Sequence, residues 1–298
     1  MTTAAPPTFT LENPAARPGS PLMRPIEVLS AMLLVAIVGL LLAGVLSRYV
    51  FSFPVIWIDE VASMCFLWLA MLGSALALDR NEHLRLTLFV NLMPPRLRDL
   101  TEAFGTLVVV ALLIGLLPTA FEYAWEERFI MKPALDVPNA YRVAAIPFGF
   151  TLMVMLTLNY ALRTHKLRDL VIAGLGIAAI LVALWLASPT LMKMGVGKLA
   201  IFLILFVGVC LAAGVPIAFC FGVGTLTYLG FATTTPVFVI VGRMDEGMSG
   251  LILLSVPIFV LLGCILDATG MGKAIVDFLA SLLGHVKAGM SYVLLGSL

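Results

Sequence analysis

Charge is scarce in this sequence: 12% of its 298 residues are Asp, Glu, Lys or Arg, where a soluble domain carries about 25%. A net charge of +1 excludes a basic nucleic-acid binder by bulk electrostatics. Cysteine is equally sparse. Cys65, Cys210, Cys220 and Cys264 all fall inside apolar runs without metal-ligand spacing and read as small buried hydrophobes. His83, His165 and His285 lie apart from one another, at polar junctions suited to a membrane interface, and form no metal-binding cluster. There is no Walker A pattern, hence no ATP site in the chain itself. No nucleophile stands beside a base, which argues against an intramembrane hydrolase and against an enzyme of any kind.

What is present in excess is apolar sequence. Hydrophobic residues make up 61% and mean hydropathy is +1.10. The expected fold is therefore an all-α integral membrane protein, a multi-span helical bundle. Residues 1–23 are rich in Pro, Thr and Ala without helical period and read as a disordered tail. The apolar run Ile26–Leu46 is too long for a signal-peptide core and is expected as the first span. Further spans are expected at Trp57–Leu78, Ala103–Phe121 with a bend at Pro118, Val143–Leu162, and Leu170–Ala187, the last ended by Ser188-Pro189.

The positive-inside rule orients these five. With a cytoplasmic N-terminus, the inner segments hold Arg17, Arg24, Arg80, Arg85, Arg96, Arg98, Arg163, Lys166 and Arg168. The outer ones hold Arg48, Arg128, Lys132, Arg142, Lys193 and Lys198. Nine against six favours N-in.

Beyond Lys198 glycine and proline become dense. Leu199–Phe231 would be about 50 Å long as one helix, too long for a core of about 30 Å. It is expected as two short helices or one strongly tilted, broken helix, interrupted at Gly214-Val215-Pro216. Leu251–Leu266 is broken at Ser255-Val256-Pro257, where proline removes a backbone donor. Such interrupted apolar segments point to a transporter's binding core. An amphipathic piece, Gly272–Gly284, follows. Met290–Leu298 is apolar but only nine residues long, too short to cross as a helix, so the chain is expected to be part of a longer one.

Two stretches resemble a known family. Ser47-Arg48-Tyr49, Trp57-Ile58-Asp59-Glu60, Trp68 with Gly73, Leu78-Asp79-Arg80-Asn81-Glu82-His83-Leu84-Arg85 and Tyr141-Arg142-Val143-Ala144-Ala145-Ile146-Pro147 make residues 24–163 resemble the small membrane subunit (DctQ type) of a TRAP transporter, a tripartite ATP-independent periplasmic transporter. Gly214-Val215-Pro216-Ile217-Ala218-Phe219, Leu254-Ser255-Val256-Pro257-Ile258-Phe259-Val260-Leu261-Leu262-Gly263 and Gly284-His285-Val286-Lys287-Ala288-Gly289 make residues 198–298 resemble the opening of the large subunit (DctM type). The resemblance divides the chain into the tail 1–23, a four-helix small-subunit-like domain 24–165, a connector helix 166–197, and the start of a transport domain 198–298.

It implies a fused permease of the bacterial inner membrane. A periplasmic binding protein would deliver an organic acid, such as a C4-dicarboxylate, a sialic acid or another sugar acid. A sodium gradient would drive uptake by an elevator motion, with sodium as coupling ion and no other cofactor. It also implies that Met290–Leu298 begins a re-entrant hairpin with Gly296 and Ser297 just before its tip, the rest of the sodium site lying beyond Leu298. The alternative is a non-transporting membrane scaffold or anchor.

Arg48 with Asp59 and Glu60 is expected as a scaffold ion pair rather than a proton or substrate group, since an unpaired acid at the bilayer centre costs about 2.5–3.5 kcal/mol. Ser255, Pro257, Gly296 and Ser297 are candidates for lining the transport core, with a kinked packing helix as the competing view. Arg80, Arg85, Arg96 and Arg98 either touch anionic lipid heads or act on topology alone. Glu122, Glu126 and Glu127 read as solvated loop acids, with docking of the binding protein as the alternative. Asp267 reads as a helix-end cap or an interfacial charge.

Overall fold

A computed structural model describes residues 23–80, 90, 93–193, 195 and 197–283. Residues 1–22 of the expected tail, Arg85, the segment 284–289 and the hairpin arm 290–298 with Gly296 and Ser297 lie outside the described residues, and Met23 is buried at the start of the first helix. Within them the protein is all-α, with one isolated β-bridge, Met131 to Pro138.

Five helices are long and apolar enough to cross a membrane. They are α1 (Arg24–Tyr49), α2 (Trp57–Asp79), α3 (Pro95–Glu126), α4 (Ala140–Thr164) and α5 (Leu167–Lys193). Helix α3 begins eight residues before the expected span, with Pro95 in its first turn, where a missing N–H is harmless. At 32 residues it is about 48 Å long, so it leaves a 30 Å core at one end or tilts within it. Pro118 lies inside it without ending it. Helix α5 also continues, through Pro189 to Lys193, and does not end there as expected. The final turn is held by burial: Leu191 packs with Phe202 and Ala232, and near a helix end the proline removes only one hydrogen bond.

Packing runs α1 on α2, α2 on α4, α4 on α3, and α3 on α5. Gly149 of α4 permits a close approach. A Cβ there would lie 2.9 Å from Cβ of Met71 in α2, closer than packed carbon atoms come. Helix α1 is largely exposed, as suits a lipid-facing helix.

Leu199–Phe231 resolves into two helices, α6 (Gly197–Ala212) and α7 (Ile217–Ala232). The break follows from local chemistry. Gly214 adopts φ +73°, its N–H bonds Leu211 O, and Val215 N–H bonds Cys210 O, which is the Schellman ending. Pro216 then starts α7 and its carbonyl accepts from Phe219 and Cys220. The middle of α6, Ile201–Phe206, is wound as a π-helix. Lys198 at the start of α6 donates to Ala232 O at the end of α7, 2.9 Å, so the two form an antiparallel hairpin. Each helix of 16 residues is about 24 Å long, short of a full crossing.

The hairpin tip reaches Gly105 of α3, where a Cβ would contact Val215 at 3.5 Å and the Ala213 carbonyl at 3.7 Å. After it come α8 (Phe238–Met248), the single turn α9 (Leu251–Leu254), α10 (Val256–Ala268) and α11 (Met271–Leu283). Helix α8 packs on α3, α9 on α2 and α10 on α1. One buried core therefore draws Met71, Leu112 and Ile146 from the first part together with Val207, Phe219 and Val241 from the second.

Candidate functional site

The most elaborate polar arrangement joins α3, α4 and α8. It begins in the loop after α3, where a 3₁₀ turn Glu127–Phe129 leads into a tight excursion. The N–H groups of Lys132, Asp136 and Asn139 close on the carbonyls of Val137, Lys132 and Ile130. The tip is pinned by α2: the Glu60 carboxylate accepts the N–H groups of Ala134 (3.1 Å) and Leu135 (3.0 Å). Asn139 then starts α4. Its Nδ2 donates to Glu127 at 2.5 Å and its Oδ1 accepts from Arg142 Nε at 3.0 Å.

Arg142 is the centre. Its side chain is 5% exposed and its Nη2 lies 2.6 Å from Asp245 Oδ2, itself 7% exposed. Nη1 donates to Ser249 Oγ at 2.6 Å. Tyr123 OH of α3 donates to the same Asp245 oxygen at 3.0 Å, and its ring meets Phe238 edge-on at 5.5 Å. Ser249 Oγ bonds back to the Asp245 carbonyl at 2.6 Å. A buried guanidinium is tolerable only when its charge is paired and its donors are used. Here Nε, Nη1 and Nη2 each have a partner.

The arrangement also lies inside the bundle. The Tyr141 carbonyl accepts from Trp68 Nε1 at 3.1 Å, and Trp68 is eleven residues into α2, about 16 Å along it. Lys132, half-buried in the same loop, has its pKa lowered by desolvation and then by the Arg142 charge. No catalytic step is available to this cluster; it is a clamp between the α3–α4 corner and α8.

Arg48 reaches Asp59 at 3.7 Å, with both side chains more than half exposed. Glu60 does not join them, because α2 turns it toward the loop N–H groups it caps. Arg80 pairs with Glu27 at 2.8 Å and Arg98 with Glu102 at 3.0 Å. Arg96 is exposed. Ser255 bonds Ile252 O at 2.5 Å and Pro257 is buried, at a one-residue interruption between α9 and α10; the 53° bend lies earlier, between Met248 and Ile252. Glu122 and Glu126 are exposed, whereas Glu127 is taken up by Asn139. Cys210 and Cys220 are buried as expected, Cys65 is half-buried, and Cys264 is exposed among the described residues.

In the sequence Arg142 stands out as an outer positive charge and as part of the stretch Tyr141–Pro147 that carries the small-subunit resemblance, with no partner assigned, and Asp245 is passed over. The available signal was an Asp and a Ser four residues apart, Asp245 and Ser249, just before an apolar run. A charge so close to apolar sequence calls for a named partner.

The two halves clamped here match two different family descriptions. Residues 37–167 match "Tripartite ATP-independent periplasmic transporters, DctQ component" and residues 202–298 match the DctM component of the same transporters. The fold and these matches define a helical transporter permease with two component types in one polypeptide. The chain belongs to the TRAP transporter permeases, small and large components fused.

Among similar proteins is the sialic acid TRAP transporter permease protein SiaT of Haemophilus influenzae, 28% identical over 91% of this chain and 46% of the relative. The isethionate TRAP transporter permease protein DctMQ of Oleidesulfovibrio alaskensis is 23% identical over 81% of this chain and 38% of its own length. The small permease protein SiaQ of Vibrio cholerae is 23% identical over 47% of this chain and 82% of its length. The chain thus spans under half the length of the fused relatives. TRAP permeases are transporters, not enzymes, and the apolar helices and the family place the chain as a multi-pass protein of the bacterial inner membrane.

Proposed function

We propose that this chain supplies the static frame and the opening of the transport part of a permease importing an organic acid. Sodium is the coupling ion, a periplasmic binding protein delivers the substrate, and the N-terminus is cytoplasmic. The observation that carries the reading is the buried Arg142–Asp245 pair, which ties the small-component half to the large-component half inside one shared core. A clamp of that kind suits a frame against which another part moves. The substrate class rests on the relatives, which are named for sialic acid, isethionate and C4-dicarboxylate transport. With a cytoplasmic N-terminus, Glu60, Arg142 and the loop 127–139 face the periplasmic side.

The test is uptake by the complete permease in proteoliposomes, offered labelled sialic acid or a C4-dicarboxylate. Uptake is expected only with an inward sodium gradient and the binding protein both present. Uptake that persists without either one contradicts the coupled mechanism, and no uptake of any acid under all conditions favours a scaffold.

A further inference from the structure

A groove of about 460 Å³ opens between α3, α5 and the end of α6. Leu100 and Phe104 of α3, Ile172 and Gly176 of α5, and Val209 and Ala213 of α6 line it. Its one polar lining residue, Thr101, is already satisfied, donating to Leu97 O at 2.8 Å. Beyond the accepting lone pairs of that hydroxyl, water or a polar solute would find little to bond along this lining, and an apolar cavity of this kind takes apolar occupants. Two of its walls are membrane-spanning helices, so the surrounding solvent is acyl chain.

The rim has the opposite character. Arg96 lies one turn before Leu100 and Arg168 one turn before Ile172, so each sits on the groove face of its helix. Side chains lean toward the helix N-terminus, which carries both guanidinium groups outward from the groove. Both are exposed and neither has an ion-pair partner among the described residues. Lys166 adds a third charge. Asp169, one turn before Ala173, is half-buried at the same rim and Asp99 is exposed on α3. The rim thus keeps a net positive charge above an apolar slot, the complement of a phospholipid with an anionic head.

We propose that this groove is a binding site for one anionic phospholipid, wedged between the small-component helices and the large-component hairpin, with its acyl chain against Phe104 and Gly176 and its head group between Arg96 and Arg168. The site lies at the junction of the two component types, on the opposite side of α3 in chain direction from the Arg142 clamp: the groove is at the Pro95 end, Tyr123 near the other. It requires no assumption about substrate or coupling ion.

The test is native mass spectrometry of the intact detergent-purified permease titrated with phosphatidylglycerol or phosphatidylcholine. One phosphatidylglycerol per chain is expected to be retained under conditions that strip phosphatidylcholine. Arg96→Gln with Arg168→Gln, both at the surface, should weaken phosphatidylglycerol retention about thirtyfold, from the charge attraction of two basic residues. A Cβ at Gly176 meets no atom within 4 Å, so Gly176→Leu should fill the slot and abolish retention while the protein stays folded. Equal retention of the two lipids, or retention unchanged in both variants, overturns the proposal. So does a Gly176→Leu permease that is destabilised with lipid retention unchanged, since a protein segment would then occupy the groove.

Discussion

Arg48–Asp59 and Arg142–Asp245 join the same two residue types and differ in nearly everything else. The first bridges neighbouring helices eleven residues apart, at 3.7 Å, with side chains 57% and 52% exposed. The second spans 103 residues of sequence, at 2.6 Å, with side chains 5% and 7% exposed. Water and salt screen the first, and such pairs contribute about 0–1 kcal/mol. The second has lost its solvent, so removing either partner strands a charge in the interior. The pair visible in the sequence is the weak one; the pair that holds the two components together has to be found in space.

The largest effect is expected at the buried pair. Arg142→Ala should destabilise the detergent-solubilised permease by about 3–5 kcal/mol, seen as a lower unfolding temperature. Replacing both partners with apolar residues, Arg142→Met with Asp245→Leu, should recover most of that loss, because no charge is then left unpaired. Next comes close packing within the small component. Gly149→Leu drives a side chain into Met71 and should cost about 1–3 kcal/mol by overpacking.

Glu60→Gln comes next, keeping one acceptor oxygen for the Ala134 and Leu135 N–H groups and losing the charge that strengthens those bonds. Faster proteolysis within residues 130–139 is the expected sign, with the rest of the fold unchanged. Arg48→Ala should cost under about 1 kcal/mol, and raised salt should shrink the difference.

Lys132 adds a pH dependence. Burial lowers its pKa from 10.5 in the folded protein, so folding favours the neutral amine. The unfolded chain therefore binds more protons between the lowered value and 10.5, and stability rises with pH across that window. The gain is complete above 10.5 and is lost as pH falls through the folded value. Lys132→Met should remove this alkaline gain, measured as unfolding temperature against pH.

Much of the fold was legible. The spans of α1, α2 and α4 follow from apolar length, and the break at Gly214-Val215-Pro216 follows from a glycine and a proline placed where a helix can end but not continue. What was not legible depends on distant partners. Pro189 looked like a stop, yet Leu191 finds Phe202 and Ala232, and that packing carries α5 past it. Glu60 looked like a second partner for Arg48, but the loop N–H groups it meets belong to residues 74 and 75 positions away. Asp245 lay in a polar patch with no local reason to prefer Arg142 over solvent.

The most direct test is a double-mutant cycle on Arg142 and Asp245, with Arg48 and Asp59 as reference, read from unfolding of the intact permease. A coupling of about 2 kcal/mol or more at the buried pair, against under about 0.5 at the exposed one, is the predicted result. Equal couplings at the two pairs would contradict the account, since Arg142 and Asp245 would then not be holding the two components together.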